Sequence, residues 1–181
     1  MNAFFSSLAA RVRAAIQASE PPDGILRELC LAFEGELPAS LVGVAVLDPS
    51  SQVFAHAVFP SLADDYASAL KGILVADKTG SCALAVFDGK TIDCADVAFD
   101  GRFSEGWRQL GLKHGLRALM SIPAVDGAGS VMGTLVVTYP PGSPLSGKQR
   151  QTAEAVAGLA AEVLRYRQQA ERSGELTAAP N

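Results

Sequence analysis

The chain has 181 residues, 49% of them hydrophobic and 19% charged, and its formal net charge is −4. That length is one domain of ordinary size, able to bury roughly 70% of its unfolded surface without a metal or disulfide staple. So much apolar surface excludes intrinsic disorder over most of the chain. An acidic chain with no basic block is not built to neutralise phosphates, so no nucleic-acid partner is expected.

In chain order, Phe5, Leu8, Ala9, Val12 and Ile16 recur at helical spacing and predict an amphipathic helix over residues 3–18. Arg11 and Arg13 interrupt its apolar stretch and no small-residue cleavage site follows, so it does not read as a signal peptide. No apolar run nears the roughly 20 residues that cross a bilayer, and no membrane contact is expected. Glu20-Pro21-Pro22 breaks the helix, and Asp23 is a candidate cap for the next one, which carries Ile25, Leu26, Leu29, Cys30 and Phe33 and ends near Gly35. Residues 41–47 and 53–58 are short, apolar and rich in β-branched side chains. With Asp48-Pro49-Ser50-Ser51 between them they predict an antiparallel hairpin. Residues 61–70 read as a short helix with Ser61 as its N-cap.

Thr79-Gly80-Ser81-Cys82 opens a further apolar helix over residues 83–87, closed by Asp88-Gly89. A short strand over 91–94, a loop over 96–103 and a helix over 105–113 carrying Trp107 and Leu110 follow. Residues 118–125 and 131–139 are strands joined by a turn at Asp126-Gly127-Ala128-Gly129. After the rigid Pro140-Pro141-Gly142-Ser143-Pro144 break, a long helix runs from Ser146 to about Arg172, with Ala153, Val156, Ala157, Ala160, Val163 and Leu164 on one face. Paired hairpins among helices give an α+β fold: an antiparallel sheet with helices packed on it.

Few residues carry evident chemistry. Glycine and serine in Thr79-Gly80-Ser81-Cys82-Ala83-Leu84, ahead of an apolar helix, leave first-turn N–H groups pointing outward, which makes either an anion or polar-ligand site or an ordinary helix start capped by Ser81. Cys82 at a helix N-terminus is where a thiol acquires thiolate character; the alternative is a buried small hydrophobe, which is how Cys30 and Cys94 read. Three cysteines are too few, and odd in number, for a secreted disulfide framework, so the cytoplasm is the expected compartment. Trp107, His114 and Arg117 cluster at a helix-to-strand junction, either lining a pocket for an anionic or planar ligand or serving as a core Trp, a helix-terminal His and a solvated Arg. Gly115 is expected at positive φ. No paired carboxylates, Ser-His-Asp order, P-loop or GxGxxG is present, and two histidines without CxxC or HxxxH spacing leave little for a zinc site. The terminal helices either cover the sheet or pair with a second copy.

Taken together, Phe59-Pro60-Ser61-Leu62, the helix around Tyr66, Gly80-Ser81-Cys82, Gly89-Lys90-Thr91-Ile92, Asp96-Val97-Ala98, Trp107, His114-Gly115-Leu116-Arg117-Ala118, Ser121-Ile122-Pro123 and Val131-Met132-Gly133-Thr134-Leu135 resemble a bacterial GAF domain. The resemblance covers residues 22–168, with 1–21 as an N-terminal amphipathic helix and 169–181 as a disordered polar tail. It implies a central antiparallel β-sheet with the N- and C-terminal helices on one face and a ligand pocket on the other, under the segments around 80–85 and 96–117. The candidate ligand-binding residues are then Gly80, Ser81, Cys82, Ala83, Leu84, Phe99, Trp107, His114 and Arg117, with the Cys82, Ala83 and Leu84 N–H groups facing an anion as in the nitrate-receptor branch. The family binds cyclic nucleotides, bilins, haem, nitrate and other small molecules, so the resemblance names no cofactor. Two departures bear on the ligand. Ala83 stands where glycine is usual, and Leu119-Met120 follow Arg117-Ala118 where an aromatic or cysteine is common, both making the pocket wall more apolar or narrower.

The expected function is a small-molecule-binding regulatory domain, with a small polar or anionic ligand and no enzyme activity. It would signal through a homodimer of the terminal helices or through a signalling protein partner, since no kinase, GGDEF, EAL or DNA-binding signature occurs after Arg172. Two alternatives stand. A GAF-fold free methionine-(R)-sulfoxide reductase would need a catalytic cysteine in residues 95–122, where there is none. A ligand-free dimerisation module would have a small cavity filled by side chains.

Overall fold

A computed structural model describes residues 3–174. Two helices lead, α1 (Ala3–Gln17) and α2 (Pro22–Glu36). Pro22 occupies the first turn of α2, where its missing N–H costs nothing. Asp23 does not cap that helix. Its carboxylate instead receives Arg167, and it lies 3.1 Å from His56 Nε2. Gly35 stays inside the helix rather than ending it.

The hairpin is β1 (Val42–Asp48) and β2 (Val53–Val58), followed by α3 (Asp64–Leu70), α4 (Ser81–Asp88), the three-residue β3 (Ile92–Cys94), α5 (Glu105–Lys113), β4 (Ala118–Val125), β5 (Val131–Tyr139) and α6 (Gly147–Ser173). Ser61 does not cap α3. Its hydroxyl donates to Glu34 at 2.6 Å, and Ala63 takes the cap position.

The five strands form one sheet in the order β2-β1-β5-β4-β3, every neighbour antiparallel. Both faces are covered, so the strands alternate between two cores. Val42, Val44 and Val46 of β1, with Met120 of β4 and Leu135 of β5, face the layer of α1, α2 and α6. Ala45, Leu47, Leu119 and Val136 face α3, α4 and the loop ahead of α5. Strand β1 therefore reads as a continuous apolar run with two meanings.

Helix α6 lies close on the sheet because its buried stripe is rich in alanine: Ala153, Ala157, Ala160 and Ala161 are all at most 1% exposed. Its start carries a capping box. The Ser146 hydroxyl accepts the Gln149 N–H, and the Gln149 side chain accepts the Ser146 N–H. The helix runs through Ser173 to Gly174 at φ 76°, so the boundary expected at 169 moves to 174; residues 175–181 lie outside the described residues. Helix α1 is not a separate appendage. Leu8, Ala9 and Val12 enter the same core as α2 and α6, and Arg13 makes a two-pronged ion pair with Glu162 of α6. No described helix is long and apolar enough to cross a membrane.

Candidate functional site

The site is built on the sheet face opposite the terminal helices. Helix α4 packs on β4 and β5, and the Thr134 hydroxyl of β5 donates to the Cys82 carbonyl at 3.1 Å, fixing the helix start. Gly80 holds the N-cap position in extended backbone, and no side chain caps the helix, so Ser81 is its first residue rather than its cap. The first intrahelical bond runs from the Leu84 N–H to the Gly80 carbonyl at 2.9 Å. The N–H groups of Ser81, Cys82 and Ala83 thus find no backbone acceptor among the described residues, as helix geometry requires of a first turn.

Ser81, Cys82 and Ala83 line a cavity that is also walled by Tyr66 and Leu70 of α3, Trp107 and Gly111 of α5, Val97 and Phe103 of the intervening loop, and Phe54 and Leu119 of the sheet. No charged side chain lines it. Trp107 is its largest lining side chain, and a Cβ added to Gly80 would meet the indole at 3.3 Å, so a glycine here lets the ring approach the backbone closely. The free space is about 30 Å³, enough for roughly two waters.

Of the residues expected at the site, Gly80, Ser81, Cys82, Ala83 and Trp107 line this cavity. Leu84 is buried on α4 in the same core but does not line it. His114 stops just outside. Its ring packs edge-on against Tyr66 at 5.4 Å, and its Nε2 is 3.4 Å from Asp65 of α3, beside the Lys113–Asp65 ion pair at 2.8 Å. Lys113 and then His114 hold the Asp65 carboxyl below its usual range. Arg117 points away from the cavity and pairs with Asp96 at 3.1 Å, lowering the Asp96 pKa.

Phe99 is 85% exposed and does not belong to the pocket. The cause is local. The Asp96 carboxylate accepts the Ala98 N–H at 3.0 Å and its carbonyl accepts the Phe99 N–H at 3.2 Å, a turn that sends Phe99 outward and leaves Val97 and Phe103 facing in. Those two, with Phe54, Tyr66 and Leu70, are wall residues that sequence reading did not single out, whereas Leu119 was read as part of the wall. The one available signal was that Val97 follows turn-forming Asp96 and Phe103 follows the Asp100-Gly101 turn, a pattern that does not separate them from Phe99.

The cysteines are buried and unpaired. Burial pushes the Cys82 thiol up to about 11 against the lowering influence of the nearby Ser81 and Ser121 hydroxyls, and burial beside the Asp100 carboxylate pushes Cys94 up to about 12. Among the described residues no cluster of three His, Cys, Asp or Glu side chains gathers to hold a metal ion.

No curated protein matches this sequence. Similar solved structures include the GAF domain of a phosphoenolpyruvate-protein phosphotransferase from Coxiella burnetii, 16% identical with a TM-score of 0.69, covering 95% of this chain and 97% of that one. The corresponding GAF domain from Acinetobacter is 13% identical with a TM-score of 0.67, covering 97% and 100%. A free methionine-R-sulfoxide reductase from Neisseria meningitidis, solved with its substrate, is 15% identical with a TM-score of 0.64, covering 92% and 91%. At these identities the likeness is one of fold. The GAF domain family model matches residues 21–164, which takes in the sheet and the cavity between α4 and α5, and the chain belongs to the GAF domain family.

Proposed function

We propose that this chain is a regulatory GAF domain that admits a small, largely apolar molecule with one hydrogen-bond-accepting end into the α4–α5 cavity. The observation that carries the reading is a helix start, Ser81-Cys82-Ala83, whose first-turn N–H groups have no backbone acceptor among the described residues and which lines a cavity whose other walls are apolar. Such a site orients a ligand by one polar end and holds it by burial of the rest. A neutral acceptor suits this lining better than the anion expected from sequence. A buried charge needs a partner, and the nearest guanidinium groups are engaged elsewhere, Arg117 by Asp96 and Arg108 by Glu105.

Entry requires Trp107 and α5 to move. Helix α5 suits that role because Gly111 is its only buried residue, and elements with little burial open locally at low cost. The test is a thermal-shift panel of small neutral aromatic and carbonyl compounds, with nitrate and cyclic nucleotides included, on the wild type and on Ala83→Leu, which fills the cavity. A ligand of this site raises the wild-type melting temperature and leaves the variant unmoved. A compound that stabilises both equally binds elsewhere and contradicts the assignment.

The second reading, a ligand-free structural module, is favoured by the small free volume of about 30 Å³; it is the reading left if the panel yields no stabilising compound. The sulfoxide-reductase reading is not adopted. A thiolate is the nucleophile in such chemistry, the Cys82 and Cys94 thiols sit at about 11 and 12, and residues 95–122 hold no cysteine. Methionine sulfoxide turnover that disappears in Cys82→Ser would restore it.

We further propose that the domain pairs with a second copy through the α1–α6 surface. Two adjoining grooves of about 300 and 260 Å³ run there, sharing Glu162 and Arg165 and lined by Phe5, Leu159, Ile16 and Tyr166. Light scattering of a dimer that dissociates in Gly158→Glu or Tyr166→Glu supports the pairing, and a strict monomer removes it.

A further inference from the structure

We propose that Asp93 is the relay between the pocket wall and the start of α6, a role that rests on reading the α4–α5 cavity as the ligand site. Asp93 lies in the middle of β3, the edge strand. Its side chain joins two elements: the carboxylate accepts the Tyr139 hydroxyl of β5 at 2.5 Å and the Arg150 guanidinium of α6. Its backbone carbonyl joins a third, accepting the Arg102 guanidinium at 2.7 Å.

Arg102 is in turn clamped on the Asp100 carboxylate, at 2.9 Å through Nε and 2.5 Å through Nη2, and its guanidinium lies 5.6 Å from the centre of the Phe103 ring. Phe103 and Val97 are the cavity wall contributed by this loop. On the other side, Arg150 also donates to the Leu145 carbonyl at 3.1 Å, so its guanidinium grips the entry into α6 as well as Asp93. One residue therefore touches the pocket loop through its backbone and the first turn of α6 through its side chain.

The placement matters because the rest of the sheet separates the two sites. Between the pocket and α6 stand β1, β4 and β5, held in long antiparallel ladders that do not deform readily. Strand β3 has only three paired positions and a free outer edge, so a shift of the loop is absorbed there. Outward movement of Phe103 and Trp107 pulls Arg102, Arg102 pulls the Asp93 carbonyl, and the Arg150 and Tyr139 contacts follow. Coupling of this kind is reciprocal, so loosening either end loosens the other.

The experiment is hydrogen–deuterium exchange on the whole chain, comparing the wild type, Trp107→Ala, Asp93→Asn and the double variant. Trp107→Ala mimics the opened pocket. It is expected to raise exchange at residues 147–153 about fivefold in the wild-type background, and to add nothing there once Asp93 is replaced. Amides of the β1–β5 ladder report global opening and separate it from the local effect. An increment at residues 147–153 that is equal in both backgrounds, or absent from the wild type, overturns the proposal. Arg150→Gln severs the same link from the other side and gives the same readout if Asp93→Asn does not fold. The ligand reading fails separately: a compound panel without a binder removes the ligand and leaves the exchange result intact, whereas a compound that binds Asp93→Asn with unchanged affinity but shifts α6 exchange as in the wild type removes the relay and leaves the pocket.

Discussion

At the residue scale, the fold depends on glycine where two backbones or a ring approach too closely for a side chain. A Cβ on Gly133 would lie 2.2 Å from the Ala45 carbonyl oxygen of the neighbouring strand and 3.1 Å from Leu164 of α6. Backbone cannot yield as a side-chain tip can, so Gly133→Ala is expected to cost about 2–4 kcal/mol, measured as a lower denaturation midpoint at unchanged slope.

A second residue-scale prediction concerns acid. The Arg102 guanidinium holds the Asp100 carboxyl at about 2, below the roughly 3.9 of an unfolded aspartate. A carboxylate depressed in the folded state contributes stability that is complete above its unfolded value and is lost as pH falls through the folded one. The wild type is therefore expected to lose stability between about pH 4 and about pH 2, and Asp100→Asn to be less stable at neutral pH with a shallower acid slope in that window. Urea midpoints from pH 5 to pH 2.5 check both.

The same scale explains what sequence reading of the site caught and missed. Gly80, Ser81, Cys82 and Ala83 were legible as a helix start because a glycine and a serine precede an apolar helical stretch, but whether that start is capped by Ser81 was not. Phe99 was misplaced because a three-residue Asp turn decides which way a loop side chain faces, and no periodicity runs through a turn.

At the element scale, the eleven elements among the described residues follow closely from hydrophobic period. The errors sit at the ends, where a cap competes with a longer-range partner: Asp23 is drawn to Arg167 and His56, and Ser61 to Glu34. Helix α6 is where the local cap prevails, and Ser146→Ala is expected to lower stability by about 1 kcal/mol, with increased amide exchange confined to the first turn of α6. A drop in helical signal spread along the whole of α6 would contradict that local assignment. Helix α5 is the opposite case. Its sequence is amphipathic, yet only Gly111 is buried, so its hold on the domain lies in the partly buried Trp107 and Leu110, in the Arg108 bonds to the Asp100 and Phe103 carbonyls, and in the Lys113 and His114 contacts to Asp65.

At the scale of the whole molecule, two cores share one sheet. The larger joins α1, α2 and α6, and the smaller surrounds the cavity. Sequence patterns assign residues to strands well, but they do not assign a two-sided strand to one layer or the other. Val42, Val44 and Val46 look the same as Ala45 and Leu47 until both layers are present. The size of the cavity is likewise a product of how Trp107, Phe103 and Tyr66 interlock, which no local pattern encodes.

The most direct test of the ligand site is the emission of Trp107, the single tryptophan of the chain, which forms the pocket wall. Titrating the wild type with the compounds that raise its melting temperature is expected to change that emission saturably, with a midpoint matching the thermal shift. It should also increase the access of acrylamide to the ring as α5 moves. Emission that stays constant while a compound stabilises the protein would mean that the cavity remains closed and the ligand lies elsewhere.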